Sequence, residues 1–180
     1  MTVELPPALA DYTSAFTAPE PEYLVELSRQ TWLYKPMPRM LSGHLQGRIL
    51  ALFSRLVRPK VVVEIGTYTG YSALCLAEGL LQGGTVYTID VDEENSLFAQ
   101  TYFDRSPYAQ NIRRLVGPAL EKLDDVPEPV DLAFIDADKE NYTTYYRILR
   151  AKMRSGGLIL ADNVLWSGKV VNPDVQDPET

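Results

Sequence analysis

The sequence predicts an α/β fold: a Rossmann-like, mostly parallel sheet with helices on both faces. Three observations predict it. Short β-rich runs alternate along the chain with stretches of helical periodicity, the pattern of parallel βαβ construction. One such unit is complete in Val61 to Asp90, VVVEIGTYTGYSALCLAEGLLQGGTVYTID. It reads as strand, glycine turn (Gly66 to Gly70), a helix from Tyr71 to Leu81, a Gly83-Gly84 break, and a second strand from Thr85. Finally, Glu64, Asp90, Asp136 and Asp162 close successive β-rich runs. Ligands of such sheets sit beyond the carboxyl ends of the strands. Helix caps and turn residues account for one or two of these acids. All four together suggest one lined crevice.

Before the central unit, Pro6, Pro7, Pro19 and Pro21 make an irregular arm with a short helix near Ala8 to Phe16. A helix follows from Glu22 to Tyr34, with Leu24, Val25 and Leu27 on its apolar face, and Lys35-Pro36-Met37-Pro38 stops it. Ser42 is a candidate N-cap for a helix from His44 to Val57 that would bury Leu45, Ile49, Leu52, Phe53 and Leu56. Residues 1–38 thus read as an arm and helix, and 39–180 as the main domain, within one globular unit.

After Asp90, the acids of Val91-Asp92-Glu93-Glu94 favour a helix start, and that helix should run to about Arg105. Ile112 to Val116 is a short strand, Ala119 to Leu123 one or two helical turns, and Val130 to Ile135 a fourth strand interrupted only by Asp131. Asn141 to Met153 is a helix with Tyr142, Tyr145, Tyr146 and Leu149 along one side, stopped by Ser155-Gly156-Gly157. Leu158 to Leu160 is the fifth strand, and Val164 to Thr180 shows no periodic pattern.

A chain of 180 residues, 46% hydrophobic and 23% charged, is long enough for one domain with a sizeable core. Its 24 acids against 17 bases give a net charge of −7, which argues against a nucleic-acid partner. Cys75 is the only cysteine, set in an apolar run, and reads as a buried structural thiol. His44 is the only histidine and reads as a surface or capping residue. The N-terminus lacks a basic and an apolar signal region, and no run approaches a membrane span. The expectation is a soluble, cytoplasmic protein with no membrane partner.

The glycine turn, Glu64-x-Gly66-x-x-x-Gly70, is one glycine short of the G-x-G-x-x-G dinucleotide pattern. With Asp90 placed to bind a ribose hydroxyl pair, it suits an adenosine-bearing ligand without a pyrophosphate, such as S-adenosylmethionine. Two glycines and an acid that merely end strands remain the alternative. Asp136, Asp162 and Asn163 offer oxygen ligands only, which is Mg²⁺ or Ca²⁺ chemistry rather than zinc. A phenol has a pKa of about 10, and a divalent cation on its oxygen would lower that value as it does for water. Lys139 could then take the proton, or it could simply be a loop lysine paired with Asp136 or Asp138.

Four stretches carry a family resemblance: VEIGTYTGYS from Val63, GPAL from Gly117, FIDADKxxY from Phe134, and GGxIxxDNVLWxG from Gly156. On these residues the chain resembles the cation-dependent class I O-methyltransferases, the group of caffeoyl-CoA and catechol O-methyltransferases, over roughly Met40 to Val171. The resemblance implies a S-adenosylmethionine-dependent methyltransferase fold with Asp136, Asp162 and Asn163 as ligands to Mg²⁺, Mn²⁺ or Ca²⁺. It implies Lys139 as general base beside Asp136. Glu64, Gly66, Tyr68, Ser72, Asp90 and Ala119 would hold the cofactor, with Asp136 near its amine and Met40, Leu41 and Ser42 closing over it. Met40, Lys139 and Trp166 would meet the phenolic substrate. The implied reaction is methyl transfer to one hydroxyl of a vicinal aromatic diol, and the implied assembly a homodimer. The family normally continues through another helix and two strands that insert beside the fifth. Those C-terminal strands are expected to be missing here, leaving Leu158 to Leu160 as an exposed apolar edge that a partner chain could cover. Two other readings stay open: a NAD-dependent oxidoreductase, against which the missing third glycine speaks, and a shortened non-catalytic relative that keeps the cofactor site.

Overall fold

The computed structural model describes residues 6–171, apart from the side chains of Trp166 and Ser167. Its strands are Val61–Ile65 (β1), Thr85–Asp90 (β2), Ile112–Val116 (β3), Val130–Ile135 (β4) and Met153–Ala161 (β5). They form one sheet in the order β3-β2-β1-β4-β5, every pair parallel. The chain builds outward from β1 in one direction and then, from β4, in the other. The switch point lies between β1 and β4, where a crevice opens beyond the strand ends.

Strand parity divides the core. Val62, Val86, Leu132 and Phe134 pack with Leu24, Leu27, Leu50, Leu74 and Phe103. Val63, Ile65, Ala133 and Ile135 pack with Leu123, Tyr145 and Leu149. Helices Glu22–Tyr34 (α2), Gly43–Val57 (α3), Tyr71–Ala77 (α4) and Glu93–Phe103 (α5) serve the first layer. Ala119–Lys122 (α6) and Tyr142–Lys152 (α7) serve the second. Pro7–Phe16 (α1) precedes them. Asp131, the lone acid inside β4, accepts the Lys60 and Val61 backbone N–H groups at 2.8 and 2.9 Å and Arg154 Nε at 2.5 Å. It clamps the start of β1 to β4 and β5.

Several local expectations need correction. Ser42 stands before α3 but has helical backbone angles and makes no capping hydrogen bond. The buried face of α3 is Gly47, Leu50, Ala51 and Ser54, while Ile49, Leu52 and Leu56 are exposed. Small residues explain the rotation. A Cβ at Gly79, just past α4, would lie 2.1 Å from the Ser54 carbonyl carbon, and Ser54 Oγ donates to Leu76 O at 2.5 Å. The two helices meet almost backbone to backbone, so α3 turns its small side chains inward. Val25 and Tyr146 are likewise exposed, and Thr31 takes a buried place on α2. The helix after the glycine turn ends at Ala77 rather than Leu81. The strand after α7 begins at Met153, so Gly156 and Gly157 lie inside β5 rather than stopping the helix. Leu158, Ile159 and Leu160 are half-buried, and β5 is an edge strand among the described residues.

Candidate active site

The parallel ladder continues one residue past the strands. Gly66 N donates to Ile89 O at 2.9 Å, Asp136 N to Ile65 O at 2.8 Å, Asp162 N to Ile135 O at 2.9 Å, and Gly117 N to Asp90 O at 2.9 Å. These bonds bring the four chain exits to one level. Above them is a cleft of about 620 Å³. Its walls include Met40, Leu41 and Ser42 from the segment before α3, and Gly66, Tyr68 and Ser72 from the glycine turn and α4. Asp90, Ala119, Asp136, Lys139, Asp162 and Asn163 complete the set named from the sequence. The Trp166 side chain lies outside what the structure describes.

Glu64 departs from expectation. It is fully buried and does not reach the cleft wall. The reason is register: Asp90 is the last residue of β2, and Asp136 and Asp162 each stand one past a strand, but Glu64 precedes the end of β1. Of the four strand-end acids, three line the crevice. Burial pushes the Glu64 carboxyl up to about 8, against hydrogen bonds from Ser72 and Thr88 that pull it down. Thr67 donates to Thr88, and Thr88 to Glu64 Oε2, each at 2.5 Å. A folded pKa above the usual carboxylate value of about 4.3 means that the folded state holds an extra proton between the two values. Stability should therefore fall as pH rises from about 5 to 8. Melting curves across that range should show this slope in the native protein and a flatter one in Glu64→Gln. Equal slopes would refute the assignment.

The turn fixes the acid of β2. Tyr68 N donates to Asp90 Oδ2 at 2.7 Å and Asp92 N to Oδ1 at 2.9 Å. Each oxygen keeps a lone pair for a further donor, which suits a ribose diol. Tyr68 also donates through its hydroxyl to Met37 O at 3.1 Å, tying the turn to the segment over the cleft. The turn glycines serve packing. A Cβ at Gly66 would lie 1.9 Å from Asp136 O, and one at Gly70 2.5 Å from the Phe103 ring.

At the other end of the cleft, Lys139 Nζ lies 3.6 Å from Asp136 Oδ1, 3.4 Å from Asp162 O and 3.4 Å from Asn163 Oδ1. It also donates to the Tyr142 hydroxyl, which donates to Ile135 O at 3.2 Å. Burial raises the Asp136 carboxyl, the charge of Asp162 raises it further, and Lys139 opposes both. Crowded oxygens of this kind fit a hard cation. Among the described residues no three His, Cys, Asp or Glu side chains form a metal cluster; what this end of the cleft offers is the Asp136 and Asp162 carboxylates beside the Asn163 amide. Asn163 sits at φ 54°, left-handed backbone that Asn tolerates better than most residues.

Sequence reasoning missed Gln46, whose Nε2 donates to Asp162 Oδ2 at 2.6 Å. It also missed Tyr145, whose hydroxyl donates to Asp138 at 2.6 Å on the cleft wall. The Gln46 contact joins residues far apart in the chain and has no local signal. Cys75 and His44 behave as read: the thiol is buried, with burial raising it to about 12, and His44 Nε2 lies 2.7 Å from Ala18 O. Arg114 on β3 is held by Gln100 and Ser96 at 2.6 and 2.7 Å. No helix among the described residues is long and apolar enough to cross a membrane.

Comparison with known proteins agrees with this fold. Caffeoyl-CoA O-methyltransferase 2 of Zea mays is 38% identical over 161 residues, 86% of this chain and 61% of the maize enzyme, so the chain spans about three fifths of that relative. The caffeoyl-CoA O-methyltransferase of Stellaria longipes is 34% identical over 173 residues, 93% of this chain and 71% of its own length. The O-methyltransferase from Bacillus cereus, solved in complex with SAH, superposes with a TM-score of 0.89 at 31% identity, covering 96% of this chain and 80% of that one. The O-methyltransferase TomG from Streptomyces achromogenes, solved with SAM, also gives 0.89, at 28% identity and 96% and 78% coverage. A family model described as O-methyltransferase matches residues 13–180, and the chain belongs to that family.

Proposed function

We propose that this protein transfers the methyl group of S-adenosylmethionine to one hydroxyl of a vicinal aromatic diol, with a divalent cation, Mg²⁺ first, at Asp136, Asp162 and Asn163. The observation that carries the proposal is the meeting of Asp136 Oδ1, Asn163 Oδ1 and the Asp162 backbone carbonyl within 3.4–3.6 Å of Lys139 Nζ, which puts all three residues at one end of the cleft that also holds Asp90. The solved relatives with SAM and SAH support the cofactor. The relatives named for caffeoyl-CoA support an acceptor bearing a catechol ring.

In this reading Asp90 binds the ribose hydroxyls, the backbone of Gly66 and Tyr68 and the Ser72 hydroxyl border the methionine end, and Ala119 lies beside the adenine. Met40 to Ser42 cover the cleft and exclude water, which strengthens every charge interaction within it. A bound cation supplies Lewis acidity and a template for two adjacent oxygens. Lys139, once its ammonium has given up a proton to solvent, receives the proton of the reacting hydroxyl at Nζ and is held for that task by Tyr142. Most of the acceleration comes from placing the acceptor oxygen in line with the methyl group and from fixed charge. The small-molecule partner is a catechol, caffeoyl-type ester or related phenolic. A cytoplasmic location, a homodimeric state, and no nucleic-acid or membrane partner belong to the same proposal.

The test is methyl transfer to 3,4-dihydroxybenzoate with Mg²⁺ and then with EDTA. Turnover that EDTA abolishes is expected. Turnover that survives EDTA would overturn the metal role, and nicotinamide-cofactor binding would point to an oxidoreductase instead.

A further inference from the structure

We infer that Gln46 is a positioning residue that sets the Asp162 carboxylate for the cation, an inference resting on the metal reading above. Asp162 stands one residue beyond β5, the edge strand among the described residues, and Asn163 follows it in left-handed backbone. Its own loop holds only one side of the carboxylate: Oδ1 accepts Asn163 N at 2.6 Å and Asn163 Nδ2 at 3.2 Å. The other oxygen, Oδ2, accepts Gln46 Nε2 at 2.6 Å. One carboxylate is thus gripped by two separate parts of the fold.

Gln46 can serve this way because its backbone is locked. At the next residue, a Cβ on Gly47 would lie 2.5 Å from Tyr71 Cε1 and 2.9 Å from Cys75 Sγ, so α3 lies directly on α4 there. One residue further, Arg48 grips Glu78 through two hydrogen bonds of 2.6 and 3.0 Å, with both side chains nearly buried. A side chain carried on so fixed a helix orients its acceptor at little entropic cost. A neutral amide also suits the task. It donates to the carboxylate without adding a positive charge that would compete with the cation. The same helix follows Met40 to Ser42, so the contact ties the segment over the cleft to the metal end.

The experiment measures Mn²⁺ binding to the full chain by calorimetry or electron paramagnetic resonance without substrate. Gln46→Met keeps the length and removes the donor, and Gln46→Ala removes both. Both variants should bind Mn²⁺ about 10–100-fold more weakly, the usual loss when a partner of a metal ligand is removed. Melting temperature and S-adenosylmethionine affinity should stay at native values. In turnover, the metal requirement should rise while kcat recovers at saturating Mn²⁺. Asp162→Ala separates the two readings. If it loses Mn²⁺ while both Gln46 variants keep native affinity, the positioning role is overturned alone. If Asp162→Ala binds Mn²⁺ like the native protein, the metal reading falls and the Gln46 role with it.

Discussion

Asp162→Ala is expected to lower methyl transfer by about 10³-fold or more, the scale seen when a preorganised charged or hydrogen-bonding group is removed from a reacting centre. Binding of S-adenosylmethionine should stay close to native. The two effects separate because the groups do. The cofactor's ribose is assigned to Asp90, which the turn fixes through the Tyr68 and Asp92 N–H groups. Asp162 belongs to the end of β5, where its neighbours are Gln46, Asn163 and Lys139. The fold should tolerate the change. Asp162 is half-exposed, and its charge adds to the strain on Asp136, so removing it relieves a repulsion in the folded state. Calorimetric titration of the cofactor beside a turnover assay checks both halves. A loss of cofactor affinity as large as the loss of turnover would mean that Asp162 serves the cofactor, and the metal role would fall.

Much of this site was legible before any coordinates, for a physical reason. In a parallel sheet covered on both faces, strands are short apolar runs with abrupt polar ends. Ile112–Val116 and Val130–Ile135 could be bounded to the residue because turn chemistry brackets each. Asp90, Asp136 and Asp162 follow from the same rule, since the residue at a strand's end must face the crevice. Glu64 shows the limit of the rule. A difference of one residue in where β1 stops converts a cleft-lining acid into a buried one. The face of α3 was misread because hydrophobic periodicity counts large side chains, and this helix is placed by Gly47, Ala51 and Ser54, which carry almost no such signal. Gln46 was invisible for a third reason: a polar residue on a helix surface acquires meaning only when β5, more than a hundred residues later, delivers its partner.

Gly66→Ala should be the most damaging single-methyl change in the chain, and it should reach both fold and site. Gly66 has φ 104°, where any other residue is strained, and the added Cβ would fall 1.9 Å from the Asp136 carbonyl oxygen. The backbone strain costs about 1–2 kcal/mol. The forced separation from β4 adds about 1–3 kcal/mol of overpacking. Against a typical total of about 5–15 kcal/mol, the sum leaves a protein that melts on the order of 10 °C lower, at about 2–4 °C per kcal/mol for a chain of this size. Gly83 supplies the control. It also has positive φ, at 75°, but a Cβ there meets nothing within 4 Å. Gly83→Ala should therefore show the strain alone and about half the loss or less, measured by calorimetry of both variants. The site adds a second discriminator. Relieving the clash must move the Asp136 carbonyl or the turn that carries Tyr68, and either displaces groups assigned to the cation or to the ribose. A shift of about 1 Å at a reacting centre can cost about 100-fold in rate. Gly66→Ala should thus lose turnover even well below its melting point, while Gly83→Ala should keep it. Equal melting temperatures and equal rates for the two variants would show that the turn yields freely, and that the close approach of Gly66 to Asp136 does not hold the cleft in shape.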